Sequence, residues 1–329
     1  MYKRKFGKSN ITVSAIGMGC FAIGGPFKGK NGNFFAYGSV DDEESKRVIH
    51  KAIELGVNFF DTADIYGFGR SERILGSVLS EYNRNDMVIA TKFANEFDEV
   101  KKISIGKNVD PDYIRKALEA SCKRLQTDFI DLYQLHDSDH DIENAKNVMN
   151  TLEDLVAEGR IGGYGWSTDD VERAKVFAEG KNCTAIQYAI HITRNNPKMI
   201  ELCEKYNLVG VIRSPLGSGT LTGKYSKEYM QNLDKNHMWY GREFIAEEWF
   251  IKRQKKLEEL SELLSGEDLT LIQALLSYLW STSETTVPIP GAKTLSQIKE
   301  NAAILELGPL KSDLLQSMTN IFEEIRTYV

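Results

Sequence analysis

Four residues of complementary chemistry lie at or just past the ends of apolar runs that are far apart in the chain. They are Asp61 and Tyr66 in FFDTADIYGFGRSE (residues 59–72), Lys92 in VIATKF (88–93) and His136 in FIDLYQLHD (129–137). A phenol can give or take a proton, and an adjacent ammonium favours the phenolate. A carboxylate can balance that ammonium, and an imidazole can hydrogen-bond a polarised oxygen. Brought together, such groups transfer a proton at a reacting oxygen. Lys92 lies inside an apolar strand, where an unpaired charge costs on the order of several kcal/mol; it therefore needs a carboxylate, and Asp61 ends the neighbouring run. The ammonium is expected to draw the Tyr66 pKa down towards neutrality. A buried Asp61–Lys92 pair that merely locks two strands would account for those two residues, but not for Tyr66 and His136.

For these side chains to meet, their strands must run parallel and end at one face. After a short hairpin (residues 5–6 against 12–13, turning over 7–10), strand and helix patterns alternate. Apolar runs end near Gly19, Asp61, Lys92, His136, Ser167, Gln187, Ser214 and Pro288. Amphipathic segments at 42–55, 71–79, 111–125, 145–158, 171–179, 198–206 and 295–304 separate them. Leu118, Cys122 and Leu125 have the spacing of one helix face, and Asp110 before Pro111 reads as a cap followed by proline at the first helical position. GVNFFD and VIATK are continuously apolar, as parallel strands buried on both faces are. Eight strands with intervening helices predict an α/β fold, a (β/α)8 TIM barrel, whose C-terminal strand ends share one mouth. No proline- or serine-rich linker divides the chain, so residues 1–329 are expected to form a single domain. Residues 216–246, rich in Gly, Lys and Tyr after the seventh strand, are expected to be a functional loop. Segments 254–264, 269–279 and 311–328 read as extra helices packed outside the barrel.

Bulk properties narrow the partners. The chain has 329 residues, 42% of them hydrophobic, enough for a large core. Its net charge of −6, without any dense basic block, argues against a nucleic-acid partner. The opening MYKRKFGKSN leads into no apolar segment of signal-peptide type, and no run reaches the length of a membrane span. The four cysteines, Cys20, Cys122, Cys183 and Cys203, form no CxxC and are expected to be reduced, buried thiols of a cytoplasmic protein.

Other motifs in the chain fit this frame less well. His136, Asp137, Asp139, His140 and Asp141 crowd one loop, but metal ligands in barrels come from several strands, so no metal site is expected. A satisfied core histidine is another reading of His136. A neutral imidazole donating to a substrate oxygen fits the barrel mouth better. Gly17-Met-Gly19-Cys-Phe-Ala22 matches a dinucleotide fingerprint, yet Gly24-Gly25-Pro26 follows where a helix should run. The segment 219–224 is one residue too short for a phosphate-binding P-loop and lacks Ser or Thr after its lysine.

The pieces FFDTADIYGFGRSERILG, VIATKF, DLYQLHD, EGRIGGYGWST, AIQYAIH, SPLGSGTLTGKY and VPIPGAKTLSQIKENAA occur in the order found in aldo-keto reductases, and the chain resembles that family from the hairpin to the last barrel helix. The resemblance implies an NADP-dependent oxidoreductase that reduces a small-molecule carbonyl compound. Tyr66 would be proton donor, Lys92 and Asp61 its tuning pair, and His136 the substrate orienter. It further implies that Gly19, Cys20 and Phe21 line the nicotinamide side and that Ser167 and Gln187 hold the carboxamide. Ser214, Leu216, Ser218, Gly219 and Lys224 would surround the pyrophosphate. Gly291, Lys293, Gln297, Glu300 and Asn301 would hold the adenosine end. Lys293, before a helix start at Thr294, could pair with a 2′-phosphate, which favours NADPH over NADH.

Two residues depart from the family pattern. Arg213 stands where relatives place an aromatic residue against the nicotinamide; its planar guanidinium can stack, and its charge should favour the reduced ring over the oxidised cation. Thr168 follows Trp166-Ser167 where Ser-Asn is usual, and is expected to lose one carboxamide contact. The residues 21–33, 93–97, Trp166 and 238–239 are expected to form the pocket lip, with Lys28 and Lys30 as solvated charges nearby. Two rival readings are a regulatory protein like potassium-channel β subunits, disfavoured by the short segment before the barrel, and a metal-dependent barrel hydrolase. The physiological substrate and the oligomeric state are not legible.

Overall fold

The computed structural model describes residues 1–29 and 34–329; Lys30 and the 30–33 part of the expected lip lie outside the described residues. The chain opens with the expected hairpin, β1 (Lys3–Lys5) against β2 (Thr12–Ser14), with Lys5 opposite Thr12. Next come β3 (Met18–Gly19), a one-turn helix α1 (Phe21–Gly24), and the short strands β4 (Phe27–Lys28) and β5 (Phe34–Phe35). Helix α2 (Asp42–Glu54), strand β6 (Phe59–Asp61), α3 (Arg70–Leu79) and β7 (Val88–Phe93) follow. A second hairpin, β8 (Asn95–Asp98) and β9 (Ile103–Lys107), precedes α4 (Pro111–Leu125). The chain then runs through β10 (Leu132–Leu135), α5 (Ile142–Ala157), β11 (Tyr164–Ser167), α6 (Val171–Ala178), β12 (Cys183–Ala189), β13 (Arg194–Asn195) and α7 (Pro197–Tyr206). After β14 (Val209–Arg213) and the insertion, which contains α8 (Lys227–Gln231), come α9 (Glu248–Leu263), α10 (Leu271–Thr282) and β15 (Thr286–Pro288). The last elements are α11 (Leu295–Ala302), α12 (Ile304–Leu307), α13 (Ser312–Phe322) and β16 (Thr327–Tyr328).

Eight parallel strands run in the order β3-β6-β7-β10-β11-β12-β14-β15. The ring closes where Gly17 N donates to the Pro288 carbonyl at 2.9 Å and Gly19 N to that of Pro290 at 3.1 Å. A side chain at Gly19 could not fit there, since a Cβ would stand 2.6 Å from the Ile289 carbonyl oxygen. Side-chain alternation along each strand then makes two cores. Phe59, Val88, Ala90, Leu132, Ala185, Val209 and Val211 point inward, with Phe6 and Val13 of the hairpin closing the bottom. Phe6 meets Phe59 edge to face at 5.2 Å. The alternate residues, including Phe60, Ile89, Tyr133, Trp166, Ile186 and Ile212, pack against the helices.

The strand ends agree with the sequence reading; several boundaries do not. Helix α9 begins at Glu248, well before residue 254, and α13 ends at Phe322, so 311–328 is not one helix. Beyond it β16 pairs with β13, Thr327 opposite Arg194, because Arg326 is drawn to the Ile192 carbonyl at 3.0 Å. Asp110 takes the cap position before Pro111 but makes no capping bond, whereas Asp141 and Asp170 accept from the first turns of α5 and α6. Among the described residues no helix is long and apolar enough to cross a membrane.

Candidate active site

The inward alternation that builds the apolar layer continues upward into a polar one. Two residues beyond Phe59, Ala90, Leu132, Ala185 and Val211 stand Asp61, Lys92, Gln134, Gln187 and Arg213, so all five face the barrel axis at the C-terminal strand ends. Lys92 is fully buried; its Nζ donates to Asp61 Oδ2 at 2.6 Å, to the Thr62 carbonyl at 2.7 Å and to Tyr66 Oη at 3.4 Å. Asp61 Oδ1 accepts from Gln187 Nε2 at 2.7 Å and Gln134 Nε2 at 3.0 Å. One carboxylate is thus saturated by an ammonium and two amides. Gln134 was missed in the sequence, although its place two residues before His136 marks it as inward-facing.

Tyr66 reaches the same point from the turn after β6, where Gly67, Phe68 and Gly69 all take left-handed backbone conformations. Its ring stands perpendicular to that of His136, 5.8 Å away, and to that of Phe21, 5.1 Å away. The expected fall of its pKa towards neutrality is corrected. Burial raises the Tyr66 pKa, Lys92 pulls it down, and Asp61 behind the lysine opposes that pull, leaving it above the ordinary phenol value. For Lys92 burial acts to lower the pKa, but Asp61 and Tyr66 outweigh it and the ammonium is favoured. Burial holds the His136 pKa well below its ordinary value, helped by Lys92, Lys107 and Arg213, so this imidazole is neutral at physiological pH.

A cavity of about 720 Å³ opens above these groups. Its wall includes Asp61, Tyr66 and His136, together with Gly19, Phe21, Ser167, Gln187, Arg213, Ser214, Ser218 and Gly291 of the expected cofactor contacts. Lys92 lies beneath, in contact with two residues of the wall, Asp61 and Tyr66. Cys20 is buried with its N–H on the Asp61 carbonyl at 2.8 Å, so it turns its thiol to the core. Leu216, Gly219, Lys224, Lys293, Gln297, Glu300 and Asn301 are outside this wall. Lys293 Nζ donates to the Tyr37 and Ser39 carbonyls, each at 2.8 Å, while Gln297 Oε1 accepts from Lys293 N at 2.8 Å. Glu300 accepts from Thr270 Oγ1 at 2.8 Å, and Asn301 Nδ2 reaches the Gly291 carbonyl at 3.4 Å.

The lip differs from expectation in its aromatic members. Trp166 is fully buried with its indole N–H on the Asp137 carbonyl at 2.9 Å, so it supports the loop after β10 from below. Thr168 likewise donates to the Ser138 carbonyl at 2.8 Å and turns away from the site. Of the other expected lip residues, Phe27, Lys28, Asn95 and Met238 line the mouth, joined by Phe35, Tyr37 and Lys107. The insertion is fastened across it: Met238 N donates to the Ala36 carbonyl at 2.8 Å, and Trp239 Nε1 to that of Ser218 at 3.3 Å. Arg213 is braced from behind, its Nη2 donating to Asp169 Oδ2 at 2.6 Å, an oxygen that also accepts from Arg194 at 3.0 Å. Among the described residues no group of three or more His, Cys, Asp or Glu is disposed to hold a metal ion. His140 Nδ1 sits 3.3 Å from Asp137 Oδ2 within the loop that suggested one.

Comparison with known proteins agrees with this geometry. Residues 15–323 match the model of the aldo/keto reductase family. An NADP(+) aldo-keto reductase of Schizosaccharomyces pombe, yakc, is 30% identical over 92% of the chain and 86% of that relative. The NADH-specific methylglyoxal reductase of Escherichia coli is 28% identical over 98% of the chain and the whole of that relative. The solved holo form of the aldo-keto reductase AKR11C1 from Bacillus halodurans superposes with a TM-score of 0.77 at 27% identity, over 99% of this chain and all of that one. With a (β/α)8 barrel whose mouth gathers Asp61, Tyr66, Lys92 and His136, and a family match that spans nearly its whole length, the chain belongs to the aldo/keto reductase family.

Proposed function

We propose that the chain, acting as one domain, reduces an aldehyde or ketone to an alcohol with NADPH, and that Tyr66 is the proton donor. The observation that carries this reading is the contact of Lys92 Nζ with Tyr66 Oη at 3.4 Å on the cavity floor, with Asp61 2.6 Å behind the lysine. NADPH, when bound, supplies hydride to the carbonyl carbon. Tyr66, protonated because burial raises its pKa, gives its proton to the carbonyl oxygen as that oxygen gains charge. Lys92 stabilises the phenolate left behind, and Asp61 with its two glutamine donors keeps the ammonium in place. His136, neutral and facing the cavity, orients the carbonyl oxygen without competing for the proton.

The remaining residues fit a dinucleotide. Ser167 and Gln187 stand side by side in register on β11 and β12 and offer a hydroxyl and an amide to a carboxamide. Ser214, Gly217, Ser218 and Gly219 all have left-handed backbone, a curled loop of the kind that turns amides towards phosphate. Burial, then Lys293, lowers the Lys224 pKa, and burial lowers that of Lys293 against the opposing pull of Asp234. A bound phosphate relieves both penalties. We assign the 2′-phosphate to Lys293 and on that ground choose NADPH over NADH; the name of the NADP(+) relative from Schizosaccharomyces pombe supports this choice and that of the NADH-specific relative opposes it.

A panel of aldehydes and ketones assayed with NADPH and with NADH, following loss of the reduced nicotinamide absorbance, tests the reading directly. Tyr66→Phe should lower kcat about 10²–10⁴-fold, the usual contribution of a placed proton donor, while NADPH binding measured by fluorescence stays unchanged. A variant that keeps most of its turnover removes Tyr66 from the role.

A further inference from the structure

We propose that Asn95 is a positioning residue, which fixes His136 in the tautomer that carries its proton on Nε2. Asn95 Nδ2 lies 3.3 Å from His136 Nδ1 and 3.3 Å from the His136 carbonyl oxygen. An amide nitrogen has two protons and only donates. With the amide turned over, its oxygen would face the His136 carbonyl oxygen, acceptor against acceptor; the nitrogen therefore stands there, and Nδ1, which it also meets, must accept. A neutral imidazole that accepts at Nδ1 carries its hydrogen on Nε2. That leaves Nε2–H as the donor available to a substrate oxygen in the cavity that the ring lines. This inference rests on the orienting role of His136 proposed above.

The fold holds Asn95 in place. Ala94, at the end of β7, has φ of 96°, a conformation strained for any residue with a side chain, and it turns the chain out of the barrel so that Asn95 faces the next strand end. The hairpin that follows returns opposite Asn95 at Lys107, whose Nζ donates to the same His136 carbonyl at 2.7 Å. At its far end Glu99 pairs with Arg73 and, at 3.3 Å, with Arg124, and Arg124 Nε donates to the buried Glu72 at 2.6 Å. Phe97 packs on Phe68 at 5.5 Å, two residues past Tyr66. One hairpin therefore braces both the turn that carries the phenol and the ring that faces it.

The charges around His136 come from several elements: Lys92 on β7, Lys107 on β9 and Arg213 on β14, with Tyr66 opposite and Asp137 next in the chain, 3.5 Å from Lys107. Three of these are cations, so the ring stays neutral and its tautomer is the property left to set. Nitrogen-15 NMR of the histidine side chains in wild type, Asn95→Ala and Asn95→Asp is the test. Wild type should show His136 with a protonated Nε2 and a bare Nδ1. Asn95→Ala should lose that preference and lower kcat about 10-fold or more, the scale seen when an orienting partner of a histidine is removed, with NADPH affinity and thermal midpoint near wild type. Asn95→Asp should invert it, since a carboxylate accepts from Nδ1–H and favours the imidazolium, adding an ionisation to the pH profile of kcat that wild type lacks. An unchanged His136 tautomer in Asn95→Ala, or identical pH profiles for all three proteins, overturns the proposal. The NMR readout does not depend on turnover, so an inactive wild type would count against carbonyl reduction and leave the tautomer assignment standing on its own result.

Discussion

The floor of the barrel mouth and its rim solve opposite electrostatic problems. On the floor, Lys92 and Asp61 are buried and matched, and Gln134 and Gln187 occupy the remaining carboxylate oxygen. This charge arrangement is complete within the protein. At the rim, Lys224 and Lys293 are half-buried cations whose pKa values are lowered by burial, Asp234 offsetting only part of that at Lys293, whose Nζ donates to the Tyr37 and Ser39 carbonyls. Burying a charge is tolerable when a partner comes with it. The floor carries its partner in the sequence; the rim, on the proposed reading, takes a phosphate that arrives with the cofactor. Changes on the floor should therefore alter stability and chemistry together, and changes at the rim should alter binding alone.

The largest effect is expected from Lys92→Met. It removes the cation from a buried pair and leaves Asp61 with amide donors only, a type of loss that costs about 3–5 kcal/mol, and it withdraws support from the phenolate. The thermal midpoint and kcat should both drop. Adding Asp61→Asn should recover much of the midpoint, because no buried charge is then left unpaired, but none of the turnover. Recovery of turnover in the double variant would break the division between floor and rim, since the pair would then be structural only.

At the rim, Lys293→Ala should weaken NADPH about 10-fold, equivalent to about 1.4 kcal/mol, with NADH affinity and kcat at saturation nearly unchanged. Titration of both cofactors by fluorescence quenching measures this. Equal losses for both cofactors would mean that Lys293 acts through its grip on the Tyr37 and Ser39 carbonyls, tying two loops together, and not through a 2′-phosphate.

The same contrast explains what could be read from the sequence. Floor residues sit on strands, where alternation fixes direction: an apolar run ending in Asp61, Lys92 or His136 already says which way the side chain points, and the Asp61–Lys92 pair follows from the cost of a lone buried charge. Rim residues sit on loops that no periodicity governs. Trp166 looked like a lip residue, yet it occupies an outward position on β11 and packs below the mouth. Tyr37 was overlooked, and Asn95, expected in the lip, gave no sign of its contact with His136, because their placement depends on two short hairpins, which are too brief for alternation to reveal and in one case hinge on the left-handed Ala94. The Tyr66 pKa was misjudged for a different reason. The sequence shows that a lysine is near, but not that burial of the phenol, and the carboxylate behind the lysine, together exceed its pull.

Arg213 lies where floor meets rim, and it gives the smallest and sharpest test. Alone, its charge should disfavour the oxidised nicotinamide cation. Asp169, however, accepts from it at 2.6 Å, and Arg194 shares that carboxylate. The guanidinium is also partly exposed, with 35% of its side chain accessible. A screened pair of this kind is worth about 0.2–1 kcal/mol, so Arg213→Tyr should shift the ratio of NADP+ to NADPH dissociation constants only about two- to five-fold, towards NADP+. Asp169→Asn should shift it the other way, because it removes the counter-charge while keeping a hydrogen-bond acceptor for both arginines. Opposite signs from the two substitutions would assign the preference to the arginine's charge. Shifts of the same sign would mean that both variants act by loosening the ring wall, and two unchanged ratios would place Arg213 away from the nicotinamide altogether.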